Sequence, residues 1–150
     1  MKDTFYCLLM VILVSLSGNA QNMFPEKFEG CDTEQFAIES KTIQAKIAES
    51  AIIDAVKSGI EIKALSRISG VLTLQVLVDT DGTSCLISLE NKTNVSTKKL
   101  QLKQAIDSLI WSNPAKKVAA IVALKFDDGV IQMRRMGFDG NQGWHQLKEN

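Results

Sequence analysis

The chain has 150 residues, of which 45% are hydrophobic and 23% charged, and its 17 basic side chains balance its 17 acidic ones. This length fits one ordinary globular domain. A net charge of zero without a basic run gives no electrostatic footprint for nucleic acid, so we expect no nucleic-acid partner. The 9 glycines and 2 prolines exclude collagen-like and low-complexity chains.

The N-terminal segment has the pattern of a secretory signal. Lys2 is followed by an apolar run from Phe5 to Leu16 and by small residues up to Ala20. A spanning helix requires about 20 apolar residues, and this run is shorter. We therefore predict a cleavable signal peptide over residues 1–20 and export of the mature chain, with the periplasm as its destination. The alternative is an uncleaved anchor in the inner membrane through residues 5–16.

Removal of the signal leaves two of the three cysteines, Cys31 and Cys85. In an oxidising compartment this even pair favours a disulfide. Cys85 also shares strand parity with Ile87 and Leu89, which fits a small buried apolar side chain instead. Both alternatives stay open. The spacing of these residues and of His145 does not match a metal-ligand set, so we predict no metal and no cofactor.

The first half of the mature chain divides into a lead-in and a helix. Residues 21–37 are interrupted by Pro25 and Gly30 and predict an extended lead-in to a single domain over residues 38–138. Apolar residues at helical intervals predict a helix from Asp32 to Ser58, which overlaps the end of the lead-in.

The second half alternates strands with a helix. Val71–Val78 and Thr83–Glu90 alternate in polarity around an Asp-Gly turn, which predicts a hairpin. A helix from about Ser96 to Ile110 precedes a second hairpin, formed by Val118–Phe126 and Val130–Met136. The predicted fold class is α+β, with a small antiparallel sheet of two hairpins and two helices packed on one face.

The chain offers few residues for catalysis. Its single histidine, His145, lies in residues 139–150, which are polar and predict a flexible tail. A nucleophilic triad needs a base fixed by a third group, so this position argues against histidine-dependent catalysis. Asp79 and Asp81 lack the remaining ligands of a calcium loop and predict a turn. We therefore predict no catalytic residue and a non-enzymatic protein.

Two alternatives of other classes stay open. Carboxylates that are distant in sequence can meet in a fold, so a small secreted enzyme or ligand carrier is one of them. Asn91-Lys92-Thr93 and Asn94-Val95-Ser96 match the N-glycosylation acceptor, so a secreted eukaryotic glycoprotein is the other.

The first hairpin and the residues after it carry a family pattern. An alternating strand begins after Gly70 and ends in an aspartate-x-x-glycine turn at residues 79–82. A second strand and a helix follow, then Trp111 with Pro114, and finally a strand that ends at Phe126. This order resembles the TonB C-terminal domain family over about half of the chain.

The resemblance implies a protein-binding domain whose last strand accepts a peptide segment of an outer-membrane receptor by strand addition. Energy-transducing members carry a membrane anchor and a long proline-rich spacer. This sequence contains no such spacer, so the resemblance implies the recognition domain, with a membrane-anchored transducer as the alternative for an uncleaved N-terminus. The predicted strand Val130–Met136 is an alternative occupant of the same edge. The edge residues at the matching positions are Val118, Ala120, Ile121, Val122, Leu124 and Phe126.

Overall fold

A computed structural model describes residues 22–148, so the predicted signal segment lies outside the described residues. Within residues 22–148 the chain forms seven strands and four short helices. The strands are β1 Glu26–Lys27, β2 Ala37–Ile38, β3 Gly70–Val78, β4 Ser84–Thr93, β5 Val118–Asp127, β6 Val130–Asp139 and β7 Gly143–Gln146. The helices are α1 Glu49–Ser58, α2 Ile62–Leu65, α3 Thr97–Leu100 and α4 Leu102–Asp107. No helix of this part of the chain is long and apolar enough to cross a membrane.

The strands form one sheet in the order β1-β4-β3-β5-β6-β7. These neighbours are antiparallel, whereas β2 pairs in parallel with β5 at Val118 and Ala119. The predicted α+β class is confirmed. The sheet is larger than two hairpins because the lead-in adds β1 and β2, and because β7 forms where the sequence predicts only a polar tail.

One face of the sheet, which we call the helix face, carries the main apolar core. It combines alternate residues of β3 and β5 with buried residues of α1, α3 and α4. Gly59 at the end of α1 permits a close approach, because a Cβ there would lie 2.1 Å from the carbonyl oxygen of Leu100. The predicted inward face of β3 is confirmed by the burial of Leu72, Leu74, Val76 and Val78.

The opposite face, the lead-in face, results from a β-bulge. The register of β3 and β4 shifts between Gln75 and Val76. Leu89 consequently faces the helices, whereas Ile87 faces away from them. The prediction that these two side chains share a face is wrong, because the extra residue of a bulge inverts the alternation. The small cluster on this face consists of Leu77, Ile87 and Ala119, with Cys31, Phe36 and Ile38 packed against it.

Both predicted helices are shorter in the structure. The first is reduced to α1, because residues 32–48 cross the sheet and form β2 on the way. The side chain of Glu39 accepts two backbone N–H groups of the following loop, which holds irregular backbone where the sequence predicts helix. The second predicted helix is interrupted at Gln101, whose left-handed φ of 47° separates α3 from α4.

A disulfide joins the lead-in to β4. The Sγ atoms of Cys31 and Cys85 are bonded, and their Cα atoms are 5.8 Å apart. The bulge places Cys85 on the lead-in face, where Cys31 passes over it. Of the two alternatives that the sequence leaves open, the structure shows the pairing.

Candidate protein-binding edge

The residues predicted to form a binding edge lie inside the sheet. On one side of β5, the whole length of β3 pairs with residues 118–126. On the other side β2 pairs with Val118 and Ala119, and β6 pairs with residues 121–127. Of the two alternatives that the sequence leaves open for this edge, the structure shows its occupation by the strand after β5, because a tight turn with positive φ at Asp128 and Gly129 returns the chain along β5. Val118, Ala120, Ile121, Val122, Leu124 and Phe126 share one strand, but it is a central one.

Among the described residues, the outer side of β6 is only partly paired. In this hairpin Asp127 and Val130 form the closing pair, so the even-numbered residues of β6 direct their N–H and C=O groups towards β5. The odd-numbered residues direct theirs outwards. Leu147 donates its N–H to the carbonyl of Arg135 at 2.9 Å, and this is the last hydrogen bond between β6 and the C-terminal segment within residues 22–148. Within the described residues no strand pairs with Ile131 or Met133 on that side, and we call residues 131–133 the open β6 edge.

A groove runs beside the open β6 edge. It has a volume of about 520 Å³ and lies between β6 and the loop that leads into α1. Its half-buried apolar side chains are Ile43, Ile47 and Met133. The remaining lining residues are Ala48, Glu49, Arg134, Arg135, Gln146, Leu147 and Lys148.

A buried ion pair holds the wall of this groove. Glu39 and Arg135 form a salt bridge with side-chain exposures of 0% and 7%. The Glu39 carboxylate accepts the N–H groups of Gln44 at 2.7 Å and Ala45 at 2.9 Å. Arg135 donates to the carbonyl of Ala45 at 3.0 Å, and its guanidinium lies 5.2 Å from the ring centroid of Trp111. This network fixes the loop opposite the edge.

The ion pair between Glu39 and Arg135 was not predicted from the sequence. Arg135 falls on the same strand parity as Ile131 and Met133, so a charged residue at an inward position was the available signal. Glu39 had no such signal, because helical spacing placed it within a predicted helix.

A second cluster of functional groups surrounds the disulfide. Lys103 Nζ lies 3.1 Å from Cys85 Sγ and 3.5 Å from Cys31 Sγ. The Asp107 carboxylate pairs with Lys103 and accepts the N–H of Leu86 at 2.6 Å. Both cysteines line a cavity of about 200 Å³.

Ionic contacts extend from the lead-in towards the first hairpin turn. Lys117 Nζ lies 2.6 Å from Asp32 and 3.4 Å from Asp79. The hydrogen bond from Lys117 lowers the pKa of Asp32, and the same contact raises the pKa of Lys117. Asp81 accepts the N–H and hydroxyl of Thr83, which lowers the pKa of Asp81. These contacts fit the turn predicted at residues 79–82.

The described residues offer little else for chemistry. Among residues 22–148 no group of three His, Cys, Asp or Glu side chains is placed to hold a metal ion. His145 lies in β7, with its Nδ1 atom 3.0 Å from the carbonyl oxygen of Gly143. Comparisons of the chain with protein-family models, with curated proteins and with solved structures give no match.

Proposed function

We propose that the protein is a non-enzymatic binding module of the cell envelope that takes an extended peptide segment of a partner protein as an additional strand. The observation that carries the proposal is the open β6 edge, where the outward N–H and C=O groups of Ile131 and Met133 lie beside a groove of mixed polarity. Main-chain hydrogen bonds would supply affinity, and the groove would accept alternate side chains of the peptide.

The same proposal covers the cellular location and the partner. Export to the periplasm is supported by the apolar N-terminal run from Phe5 to Leu16 and by the Cys31–Cys85 disulfide, since disulfides persist in oxidising compartments. The order of hairpin, helix and strand supports a domain like the TonB C-terminal domain. Its partner would then be a peptide segment of an outer-membrane receptor.

The groove favours a peptide of particular composition. Its apolar side chains Ile43, Ile47 and Met133 suit an apolar residue at every second position. Three cations line the groove, and Arg135 is paired with Glu39, which leaves Arg134 and Lys148 with one lining anion, Glu49. An acidic residue in the peptide would complement this surplus of positive charge.

Site-specific crosslinking in the native envelope tests the proposal. A photoreactive amino acid replaces Ala48, which is exposed and lines the groove, and the crosslinked peptide is identified by mass spectrometry. Met133→Pro removes an outward N–H donor and leaves the ladder to β5 intact, because that donor points away from β5. We expect one envelope protein to crosslink at position 48, and the crosslink to disappear in the proline variant.

Two controls make the result interpretable. Gln132→Ala changes an exposed side chain of the same strand without removing an outward donor, and it should leave the crosslink unchanged. The same photoreactive residue at exposed Glu61, away from the groove, should not crosslink the protein that is captured at position 48. A crosslink that survives Met133→Pro in a folded variant would show that strand addition at this edge is not the binding mode.

A further inference from the structure

We propose that the Cys31–Cys85 disulfide is a site of thiol–disulfide exchange with an external dithiol, in which Cys85 leaves as a thiolate paired with Lys103. The geometry behind this is the position of the Lys103 ammonium, which lies 3.1 Å from Cys85 Sγ and 3.5 Å from Cys31 Sγ. A sulfur that departs as a thiolate leaves faster when a cation stabilises its charge. The shorter distance assigns Cys85 as the leaving sulfur.

The exchange proceeds in two balanced steps. A thiolate of the dithiol attacks Cys31 Sγ and forms a mixed disulfide, while the Cys31–Cys85 bond breaks and its electron pair stays on Cys85 Sγ. The second thiol of the dithiol then loses its proton and attacks the dithiol's first sulfur, which is bonded to Cys31 Sγ in the mixed disulfide. This attack releases Cys31 as a thiolate, which takes up a proton. The dithiol is oxidised to a disulfide, and the cysteine pair is reduced by two electrons.

The surroundings of the disulfide permit this chemistry in the folded protein. Both cysteines are half-buried, and both line a cavity of about 200 Å³, from which we expect a reagent to reach the disulfide. Asp107 is the opposing charge, with one carboxylate oxygen 3.9 Å from Cys85 Sγ. That carboxylate pairs with Lys103, and the ammonium keeps further N–H donors for the sulfur.

Reduction would act on the lead-in. The disulfide fastens Cys31 over the cluster of Leu77, Ile87 and Ala119 on the lead-in face. Loss of this bond removes the covalent link between the lead-in and β4. The exchange site would therefore control how firmly the lead-in covers that face of the sheet.

Reduction kinetics of the purified protein test the proposal. All variants carry Cys7→Ser, so that the only thiols scored come from Cys31 and Cys85. Samples are incubated with dithiothreitol, quenched with acid and labelled with a maleimide for mass spectrometry. We expect Lys103→Met to be reduced about fivefold more slowly than the parent, and Lys103→Arg, which keeps the charge, to stay close to it. Lys99→Met, at an exposed position on α3, should leave the rate unchanged.

Low concentrations of urea separate this exchange from reduction after unfolding. Exchange in the folded state should proceed at a rate that does not change below the unfolding transition. Equal rates for the parent and Lys103→Met would overturn the role of Lys103. A parent rate that rises with urea in step with unfolding would show that the folded disulfide is not a reactive site.

Discussion

The two faces of the sheet are buried by different means. The helix face is covered by α1, α3 and α4, whose apolar side chains form one continuous cluster with β3 and β5. The lead-in face is covered by an irregular segment held through a disulfide, a few polar contacts and a small apolar cluster. Apolar packing is distributed over many side chains, whereas the lead-in depends on individual bonds. We infer that the helix face determines global stability, and that the lead-in face can change locally.

Individual polar bonds of the lead-in are visible near its start. Met23 donates its N–H to the side-chain oxygen of Gln75 at 2.8 Å, and Phe24 donates to the Ser88 hydroxyl at 3.4 Å. The ring of Phe24 also stacks on Trp144 of β7, with centroids 6.1 Å apart. Segments with few buried apolar contacts open at lower free energy than the core does. The lead-in therefore has the properties of a locally separable unit.

The largest effect is expected where the chain passes from one face to the other. Ile38 packs on the lead-in face, and the next residue, Glu39, is buried against Arg135. Glu39→Ala leaves a buried guanidinium without its counter-ion and two loop N–H groups without their acceptor. We expect a loss of about 3–5 kcal/mol in the free energy of unfolding, measured by urea denaturation.

A matched change on the surface of the lead-in provides the control for Glu39→Ala. Glu34→Ala removes an exposed carboxylate from the lead-in, and it should change the stability by less than about 0.5 kcal/mol. A loss of under about 1 kcal/mol for Glu39→Ala would mean that the crossing point is not held by its ion pair.

A pair of core substitutions compares the two faces directly. Leu74 on the helix face and Ile87 on the lead-in face are both fully buried. Leu74→Ala should cost about 3–4 kcal/mol, because the packed helices cannot collapse into the cavity. Ile87→Ala should cost about 2 kcal/mol, because the irregular lead-in can move inwards. Chemical denaturation measures both, and an equal or larger loss at Ile87 would contradict the separability of the lead-in.

The sequence was sufficient for strands whose pattern is local. β3 and its partner were predicted closely, because an alternating run and an Asp-Gly turn determine a hairpin without reference to the rest of the chain. The face of Ile87 was not predictable in this way, since the bulge depends on how β4 packs rather than on its own alternation. The disulfide is likewise one of two alternatives in the sequence, because the sequence does not show that the lead-in covers Cys85.

The candidate site was less predictable than the fold class. The periodicity of residues 32–58 indicated helix, but a buried charge at Glu39 and the pairing of β2 with β5 are tertiary effects that override periodicity. Edge strands are defined by topology, and the sequence does not show which strand lies at the end of a sheet. For that reason the predicted edge at Val118–Phe126 proved central, and the open edge lies on β6.

The smallest expected effect comes from the ion pair between Lys117 and Asp32 of the lead-in. Lys117 lowers the pKa of Asp32 from its ordinary value of 3.8, so the charged form of Asp32 is favoured in the folded protein. A carboxylate with a lowered pKa stabilises the fold above its unfolded pKa, and this contribution disappears as the pH falls through the lowered value. Asp32→Asn should therefore be slightly less stable than the parent at about pH 6 and should approach it at about pH 3.

Urea denaturation at the two pH values measures this difference, which should be small because the Asp32 side chain is 65% exposed. Asp54→Asn, at an exposed position on α1, is the matched control for the loss of one carboxylate outside the lead-in. Only the Asp32 variant should show a difference from the parent that shrinks with acid. If the difference instead persists unchanged at low pH, the loss in the variant does not come from the charge of Asp32, and its ionic contact with Lys117 has no part in holding the lead-in.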